Sequence, residues 1–260
     1  MSTPDQTVNI PVVAVVIPLH NHTNFIEGCI KSVAMQDYPA KFCVVVDDNS
    51  TDDGFEHVLS LLQDKSTKDL PEGVFSGTID GLHTIVLQND SDIHGPSIAR
   101  NIGMKVVWES CHMFGVLDAD DEYLPNKLSK SVKVLIEDPK MIGLVYSDVI
   151  LYDVETDTSV HEFRRPFDRE RLEQENIISN APLINKLALH EVGIYDNTLR
   201  TCEDWDLWLR ITEKFVAIHI PEPLQMYRIT GFNATQTVDN EQWQRDWQQV
   251  QANLRERQRD

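Results

Sequence analysis

Short apolar runs alternate with helical spacings of apolar residues through the first half of the chain. Residues 12–17 form a continuous apolar run that stops at Pro18, and residues 42–46 form a second run that stops at Asp47. Such runs are typical of strands buried on both faces. Between them, apolar residues recur on one helix face: Ile26, Cys29, Ile30 and Val33. The alternation indicates βαβ units and a mostly parallel sheet.

The same alternation continues to about residue 145. Residues 84–87, 113–117 and 142–145 predict further strands, with helices between them that carry Ile98 and Leu128 on their apolar faces. The stretch from 64 to 81 shows neither the apolar runs of a buried strand nor the spacing of an amphipathic helix. It contains Lys, Asp, Ser, Thr, Pro and Gly, so it is predicted to be an insertion or a surface loop.

The second half has a different pattern. Residues 150–153 and 160–163 predict a hairpin. The remaining predicted elements are helices at 185–192 and 203–211 and two short strands at 216–220 and 224–227, separated by prolines. The polar tail carries apolar residues at helical spacing: Trp243, Trp247, Val250 and Leu254. The tail is therefore predicted to be an amphipathic helix that docks on the body or on a partner.

Composition excludes several classes of protein. The 260 residues are enough for one large domain, and the 41% hydrophobic and 25% charged contents are ordinary for a globular chain. With 42 acidic and 23 basic residues, the net charge of −19 argues against nucleic-acid partners and against an anionic membrane surface. An anionic substrate would need a cation bound locally.

The chain has no apolar run of the length that an integral membrane segment needs. Residues 1–10 lack the basic start and apolar core of a secretory signal, so a cytoplasmic location is expected. The four cysteines have no metal-binding spacing. We therefore expect buried thiols, with no disulfide and no structural zinc.

Two acidic clusters follow predicted strands, at residues 47–52 and 118–121. Ligands of open parallel sheets bind outside the carboxyl ends of the strands. Carboxylates gathered there repel each other unless a cation neutralises them, which favours Mg²⁺ or Mn²⁺. The first cluster is also good turn and helix-capping chemistry. A calcium loop of EF-hand type is excluded, because neither cluster supplies both Gly at the sixth and Glu at the twelfth position.

A third cluster, residues 203–206, begins a predicted helix. Acids at this end favour the helix macrodipole, which is a sufficient structural reason for them. The neighbouring tryptophans also predict partial desolvation, which raises a carboxyl pKa toward the range of a general base.

The order of these motifs resembles that of the family 2 glycosyltransferases, which have the GT-A fold. The resemblance covers nearly all of residues 12–227. It is carried by Val15-Val16-Ile17-Pro18-Leu19-His20-Asn21, Val45-Val46-Asp47-Asp48-Asn49-Ser50-Thr51-Asp52, Gly95-Pro96-Ser97-Ile98-Ala99-Arg100-Asn101-Ile102-Gly103, Leu117-Asp118-Ala119-Asp120-Asp121, Glu203-Asp204-Trp205-Asp206-Leu207-Trp208-Leu209-Arg210 and Tyr227-Arg228.

The resemblance implies a role for each motif. The implied donor-nucleotide contacts are Pro18, Leu19, Asn21, Asp47, Asp48, Arg100 and Asp118. Asp120 would hold the Mn²⁺ or Mg²⁺ ion that bridges the diphosphate, and Asp204 would be the catalytic base. Further implied acceptor or donor contacts are Asp121, Glu203, Trp205, Tyr227 and Arg228.

Other interpretations of some of these residues remain open. Arg100 is also what an ordinary helix surface carries, and a plain edge strand explains Tyr227 and Arg228. His20 and His22 are interpreted as exposed loop histidines. Leu19-His20 stands where similar sequences have a small or hydroxyl residue and then Tyr, which weakens the base contact expected there.

The predicted architecture is a three-layer α/β/α GT-A fold with a central, mostly parallel, twisted sheet and a smaller mixed half. Residues 1–230 would form the transferase domain, with 10–122 binding the nucleotide sugar and 123–230 supplying the acceptor site and the base. Residues 231–260 would form the C-terminal amphipathic helix.

The implied activity is inverting transfer from a nucleotide sugar, with a UDP-sugar expected, to a glycan, lipid-linked or other hydroxyl acceptor. Self-association through the C-terminal helix, or peripheral membrane contact through Trp243 and Trp247, stays open. One alternative is a nucleotidyltransferase that makes a sugar nucleotide. Another is a non-catalytic module that binds a carbohydrate or a partner.

Overall fold

The computed structural model describes residues 10–68, 70–231, 233 and 238–259. The strands are β1 (Val13–Leu19), β2 (Phe42–Asp47), β3 (Gln63–Ser66), β4 (Phe75–Ile79), β5 (Leu82–Gln88), β6 (Met113–Val116), β7 (Glu122–Tyr123), β8 (Ile142–Asp153), β9 (Thr158–Glu162), β10 (Leu183–Asn185) and β11 (Val216–Ile229). The helices are α1 (Thr23–Ala34), α2 (Gly54–Leu61), α3 (Pro96–Val106), α4 (Lys127–Leu135), α5 (Arg169–Leu172), α6 (Lys186–Val192), α7 (Glu203–Thr212) and α8 (Asn240–Arg257).

All these strands join one sheet in the order β3-β4-β5-β2-β1-β6-β10-β8-β11-β7, with β9 paired to β8. Parallel pairing is confined to β5-β2-β1-β6 and to β8 with β11. The other neighbours are antiparallel. The centre of the sheet is therefore parallel, as predicted, and the antiparallel pairs of the edge hairpin and of the second half make the sheet as a whole mixed. Apolar runs indicate burial of a strand but not its direction.

Helices cover both faces of the sheet. Alternate residues of β1 enter two separate apolar clusters, with Val15 and Ile17 on one side and Ala14 and Val16 on the other. Helices α1, α2 and α4 bury their apolar faces in the first cluster. Helices α3, α6, α7 and α8 pack in the second cluster. The predicted three-layer α/β/α arrangement is confirmed.

The stretch from 64 to 81 is not the predicted loop. Strands β3 and β4 pair there, and β4 pairs with β5, so the segment extends the sheet at its edge. The β4–β5 turn is Asp80-Gly81, with φ of 49° and 80°. An Asp-Gly pair with both φ values positive is the preferred two-residue hairpin turn, and its short span forces antiparallel pairing. The alternation is weak because this edge is largely exposed to solvent.

Two predicted interruptions are absent. Strand β8 is continuous from Ile142 to Asp153, so the predicted strand at 142–145 is the start of the hairpin strand. Strand β11 likewise runs from Val216 to Ile229 through both prolines. Its register against β8 shifts between Ile220 and Pro223 and again after Pro223. Prolines are tolerated in strands at such bulges, because no ladder hydrogen bond is needed there.

The C-terminal helix packs on the body of its own chain. Val250 and Leu254 are buried in the same cluster as helix α7, and Trp243 packs against that cluster. Trp247 remains 47% exposed. None of the helices in the described part of the chain combines the length and apolar content that a bilayer crossing requires.

The close contact between α3 and the sheet predicts a stability effect. A Cβ added at Gly103 would lie 2.4 Å from Cγ1 of Val16 and 3.2 Å from Cγ2 of Val46. We expect Gly103→Ala to lower the free energy of unfolding by about 1–3 kcal/mol through overpacking, as measured by urea denaturation. The control Lys105→Ala, on the exposed face of α3, should stay within about 0.5 kcal/mol of the parent. Equal stability of both variants would contradict this packing.

Candidate active site

The predicted site residues gather at the carboxyl ends of the parallel strands. In the sheet Leu19 pairs with Asp47 and Val16 pairs with Val116, so the loops after β1, β2 and β6 are neighbours. They border a cleft of about 1320 Å³. The predicted residues that line it are Pro18, Leu19, Asn21, Asp48, Arg100, Asp118, Asp120, Glu203, Asp204 and Tyr227. Acids remote in sequence therefore face one cleft.

Four other predicted residues lie behind the cleft wall. Asp47 accepts a 3.3 Å hydrogen bond from Nε2 of Gln88, and Trp205 donates through Nε1 to the Leu172 carbonyl at 2.6 Å. Asp121 is fully buried and accepts from the backbone N of Arg228 at 3.0 Å. Nη1 of Arg228 in turn donates to the Asp120 carbonyl at 2.9 Å. In this structure these residues support the wall, whereas direct ligand contacts were expected.

The loop after β1 is fastened to the turn after β2. Asn21, with φ of 58°, accepts at Oδ1 from the backbone N of Thr51 at 2.7 Å. Its own backbone N donates to Oγ of Ser50 at 3.1 Å, and Oδ2 of Asp52 accepts from Thr23 N at 3.0 Å at the start of α1. The turn and capping interpretation thus holds for Ser50, Thr51 and Asp52.

Asp48 faces the cleft and also fixes the loop before α3. Its Oδ2 accepts from the backbone N of Gly95 at 2.6 Å, and its Oδ1 accepts from Nδ2 of Asn89 at 2.7 Å. His94 places Nδ1 3.1 Å from the same Oδ1. Gly95 has φ of 141°, a backbone conformation that side chains disfavour. The carboxylate therefore holds the start of α3 beside the cleft.

Arg100 links two parts of the cleft wall. Its Nη2 donates to Oδ1 of Asp118 and its Nη1 to Oε1 of Glu203, both at 2.6 Å. The side chain is only 6% exposed, so the helix-surface interpretation is wrong. Burial lowers the pKa of Arg100, but Asp118 and Glu203 outweigh that effect and hold it well above its ordinary value. The guanidinium is thus a fixed positive charge that joins β6 to α7.

The acids after β6 repel one another. Burial raises the pKa of Asp120, the charge of Asp118 adds to the rise, and His22 acts in the opposite direction. Oδ2 of Asp120 accepts from Nδ2 of Asn233 at 3.0 Å and lies 3.9 Å from Nε2 of His22. Asp118 accepts from Nδ2 of Asn180 at 3.1 Å. A cation beside Asp120 would relieve this repulsion.

The donor atoms fit a divalent cation that a substrate helps to hold. Among the described residues, no group of three His, Cys, Asp or Glu side chains is arranged as a ligand set. Mg²⁺ needs no such group, because it is usually held by one or two carboxylates together with waters and substrate phosphates. Asp120 supplies such a carboxylate, with His22 beside it. The chemistry of the site therefore fits Mg²⁺ or Mn²⁺.

Asp204 and Glu203 begin helix α7. Cys202 precedes them with φ of 58°, which turns the chain abruptly into the helix. Oδ1 of Asp204 accepts from the backbone N of Trp205 at 2.6 Å, and Oδ2 accepts from Nδ2 of Asn176 at 2.9 Å. Burial raises the pKa of Asp204, and it raises that of Glu203 to about 7 against the effect of Arg100. The carboxylate of Asp204 is therefore oriented by two hydrogen bonds and has a raised pKa, which are the properties that a general base requires.

Several cleft residues carry no recognisable signal in the sequence. Asn176 and Asn180 lie in an irregular segment between α5 and β10, where no periodicity identifies a facing side. His22 is half-buried near Asp120 and differs from the expected exposed histidine. His20 is exposed as expected, with Nδ1 2.8 Å from the Asp48 carbonyl.

Residues 14–192 match the family model described as glycosyl transferase family 2. The chain therefore belongs to glycosyltransferase family 2. A relative from Rickettsia felis, named an uncharacterized glycosyltransferase, is 29% identical over 233 residues. That match covers 85% of this chain and 35% of the relative. This chain spans only 29% to 35% of the length of three such Rickettsia relatives.

Solved structures confirm the GT-A fold. Staphylococcus aureus TarS, in complex with UDP, is similar at a TM-score of 0.60 and 17% identity, covering 85% of this chain and 61% of TarS. The Pyrobaculum calidifontis mannosyltransferase PcManGT, in complex with GDP-Man and Mn²⁺, has a TM-score of 0.59 at 20% identity. That match covers 84% of this chain and 56% of PcManGT.

The Arg100 bridge predicts a large loss of stability on its removal. We expect Arg100→Met to lower the free energy of unfolding by about 3–5 kcal/mol, because two partly buried carboxylates lose their counter-charge. The control is Arg171→Gln, which breaks the more exposed Arg171–Glu175 pair and should cost less than about 1 kcal/mol. Urea denaturation measures both. Similar losses in the two variants would contradict a structural role for the bridge.

Proposed function

We propose that this chain transfers a sugar from a nucleoside diphosphate sugar to an acceptor hydroxyl, with inversion at the anomeric carbon. The observation that carries the proposal is that Asp120 and Asp204 line one cleft, with Arg100 bridging Asp118 and Glu203, their neighbours in sequence. The cleft of about 1320 Å³ exceeds the roughly 300–1,000 Å³ of a usual small-molecule pocket, which leaves room for two substrates.

The donor would bind over the loops after β1, β2 and β6. Pro18, Leu19 and Asn21 would contact the base, and Asp48 and Asp118 would contact the base or ribose. Their support is that all five line the cleft and that hydrogen bonds hold Asn21, Asp48 and Asp118 in place. TarS in complex with UDP and PcManGT in complex with GDP-Man make a nucleotide donor the reasonable choice, and we expect a UDP-sugar.

Asp120 would hold a Mn²⁺ or Mg²⁺ ion, assisted by His22. When bound, such an ion stabilises the negative charge of the departing diphosphate. Without a cation, the net charge of −19 and the acids of the cleft would repel the donor. The raised pKa of Asp120 and the contact with His22 support this assignment.

Asp204 would accept the proton of the acceptor hydroxyl while that oxygen attacks the anomeric carbon. The new carbon–oxygen bond forms on one face of the sugar, and the bond to the nucleoside diphosphate breaks on the opposite face. Asn176 and the backbone N of Trp205 hold the carboxylate for this transfer. General-base catalysis of this kind contributes about 10²–10⁴-fold, and alignment of the reacting atoms contributes more.

The alternatives fit less well. A nucleotidyltransferase would favour a glycine-rich, basic phosphate loop after β1, whereas this chain has His20-Asn21-His22 fastened to the next turn. A non-catalytic binding module would not need a held carboxylate with a raised pKa at position 204. Slow, Mn²⁺-dependent hydrolysis of a sugar nucleotide by the wild-type chain would separate an enzyme from a binding module.

The role of Asp204 predicts a selective loss of turnover. We expect Asp204→Asn to fold normally and to lose transfer or donor hydrolysis by about 10²-fold or more, because the amide is not a base. Release of nucleoside diphosphate measures this, with thermal unfolding as the check of folding. The matched control Asp196→Asn changes an acid outside the cleft and should retain activity. Near-normal turnover of Asp204→Asn would reassign the base.

The role of Asp120 predicts a change in metal-dependent binding. Calorimetry of UDP and GDP, each with and without Mn²⁺, should show binding that depends on the metal in the wild type. We expect Asp120→Ala to abolish that dependence, because the carboxylate that holds the cation is gone. Asp92→Ala, which changes an exposed acid outside the cleft, should bind as the wild type does. Unchanged metal-dependent binding in Asp120→Ala would remove Asp120 from this role.

A further inference from the structure

The C-terminal helix contributes to the cleft as well as to the core. Trp243 and Val238 line the cleft together with Arg200 and Thr201. The indole of Trp243 is partly buried and packs against the apolar cluster beneath it. One surface of this large aromatic side chain is therefore supported by the core, while the side chain also borders the open cleft.

A buried carboxylate fixes the helix to the segment that leads into Asp204. Asp246 is 5% exposed, and its Oδ2 accepts from the backbone N of Thr201 at 2.9 Å, from Oγ1 of Thr201 at 2.8 Å and from the backbone N of Arg200 at 3.2 Å. Its Oδ1 accepts from Nε2 of Gln242 at 2.8 Å. Charge-assisted hydrogen bonds of this kind are about twice as strong as neutral ones.

Contacts farther along the helix fix it in the same position. Nε2 of Gln251 donates to the Glu173 carbonyl at 2.8 Å. Arg257 lies with Nη1 3.6 Å from Oδ1 of Asp206 and pairs through Nε with Glu213 at 2.8 Å. Trp243 is thus held in place before any ligand arrives, which lowers the entropy cost of binding against it.

The groups that share the cleft with Trp243 suit a polar ligand with an apolar face. Glu162, Arg164 and Asn176 also line the cleft. Nη2 of Arg164 pairs with Oε2 of Glu162 at 2.8 Å, whereas its buried Nε has no hydrogen-bond acceptor among the residues that the structure describes. A sugar ring suits such a cleft, since its hydroxyls hydrogen-bond to ionic and amide side chains and its C–H face packs on an aromatic ring.

We propose that Trp243 forms the acceptor subsite of this cleft by stacking against a sugar ring, so that the acceptor is a carbohydrate. The proposal rests on the proposed function and narrows its acceptor to one class. A long lipid chain would instead need a continuous apolar wall, whereas ionic and amide side chains interrupt this one. Asp246 joins the helix that carries Trp243 to the segment before Asp204, through hydrogen bonds with Gln242 and Thr201.

The test compares two tryptophans of one helix. Release of nucleoside diphosphate from UDP-glucose, UDP-N-acetylglucosamine and GDP-mannose is measured with Mn²⁺, first without an acceptor. It is then measured with methyl glycosides of glucose, galactose, mannose and N-acetylglucosamine, and separately with glycerol and with octanol. The wild-type chain should release nucleotide slowly alone and faster with at least one glycoside.

Trp243→Ala should raise the KM for that glycoside about tenfold or more, with a much smaller change in the KM for the donor, since about 1.4 kcal/mol of stacking corresponds to tenfold. The matched control Trp247→Ala removes the 47% exposed indole one turn away and should behave as the wild type. Trp243→Phe retains an aromatic ring and should recover most of the loss. That recovery also guards against a simple folding defect in Trp243→Ala.

Three results would overturn the inference. The first is that Trp243→Ala and Trp247→Ala have equal KM values for the glycoside. The second is that octanol or glycerol accelerates the release of nucleoside diphosphate and no glycoside does. The third is that the chain releases nucleoside diphosphate without an acceptor and no glycoside increases that rate. Each of them leaves the proposed transferase activity standing. Absence of nucleotide release from every donor, with and without acceptors, would instead defeat the proposed function itself, and the inference with it.

Discussion

The cleft depends on one buried guanidinium. Arg100 places a fixed positive charge between Asp118 at the end of β6 and Glu203 at the start of α7, with both contacts at 2.6 Å. Without that charge, the acids that meet at this edge of the sheet would repel one another with little solvent to screen them. The bridge therefore lets a strand end and a helix start approach closely enough to share a cleft.

Arg100 does not neutralise all the acids at this edge of the sheet. Arg100 compensates Asp118 and Glu203, whereas burial and the charge of Asp118 raise the pKa of Asp120 against the opposing charges of His22 and Arg228. Because the negative charge of Asp120 is not fully compensated, the site favours binding of a cation. A bound cation in turn favours binding of a diphosphate. In the proposed function, this local cation is what allows a strongly acidic chain to bind an anionic donor.

The hydrophobic pattern of the sequence identified some elements of the sheet correctly and missed others, because contacts between distant residues determine the rest. Apolar runs identified the strands that form the centre of the sheet, because burial on both faces leaves a clear signal. The edge hairpin at 64–81 was missed because its strands are largely exposed and have no buried face to produce apolar alternation, although Asp80-Gly81 carried a turn signal. The two prolines of β11 suggested a break, but register shifts against β8 accommodate them. Hydrophobic periodicity also does not indicate whether neighbouring strands run parallel or antiparallel.

The sequence by itself determined the GT-A class, the three layers and the acidic segments at strand and helix ends, because these depend on local periodicity and on motif order. Only the tertiary structure decided which acids face the cleft. Asp120 and Asp204 line it, whereas Asp47 and Asp121 support its wall. Only the tertiary structure also shows that the C-terminal helix packs against the segment before Asp204. Such facts depend on contacts between residues far apart in sequence, and no short-range pattern encodes the direction in which a side chain of a loop points.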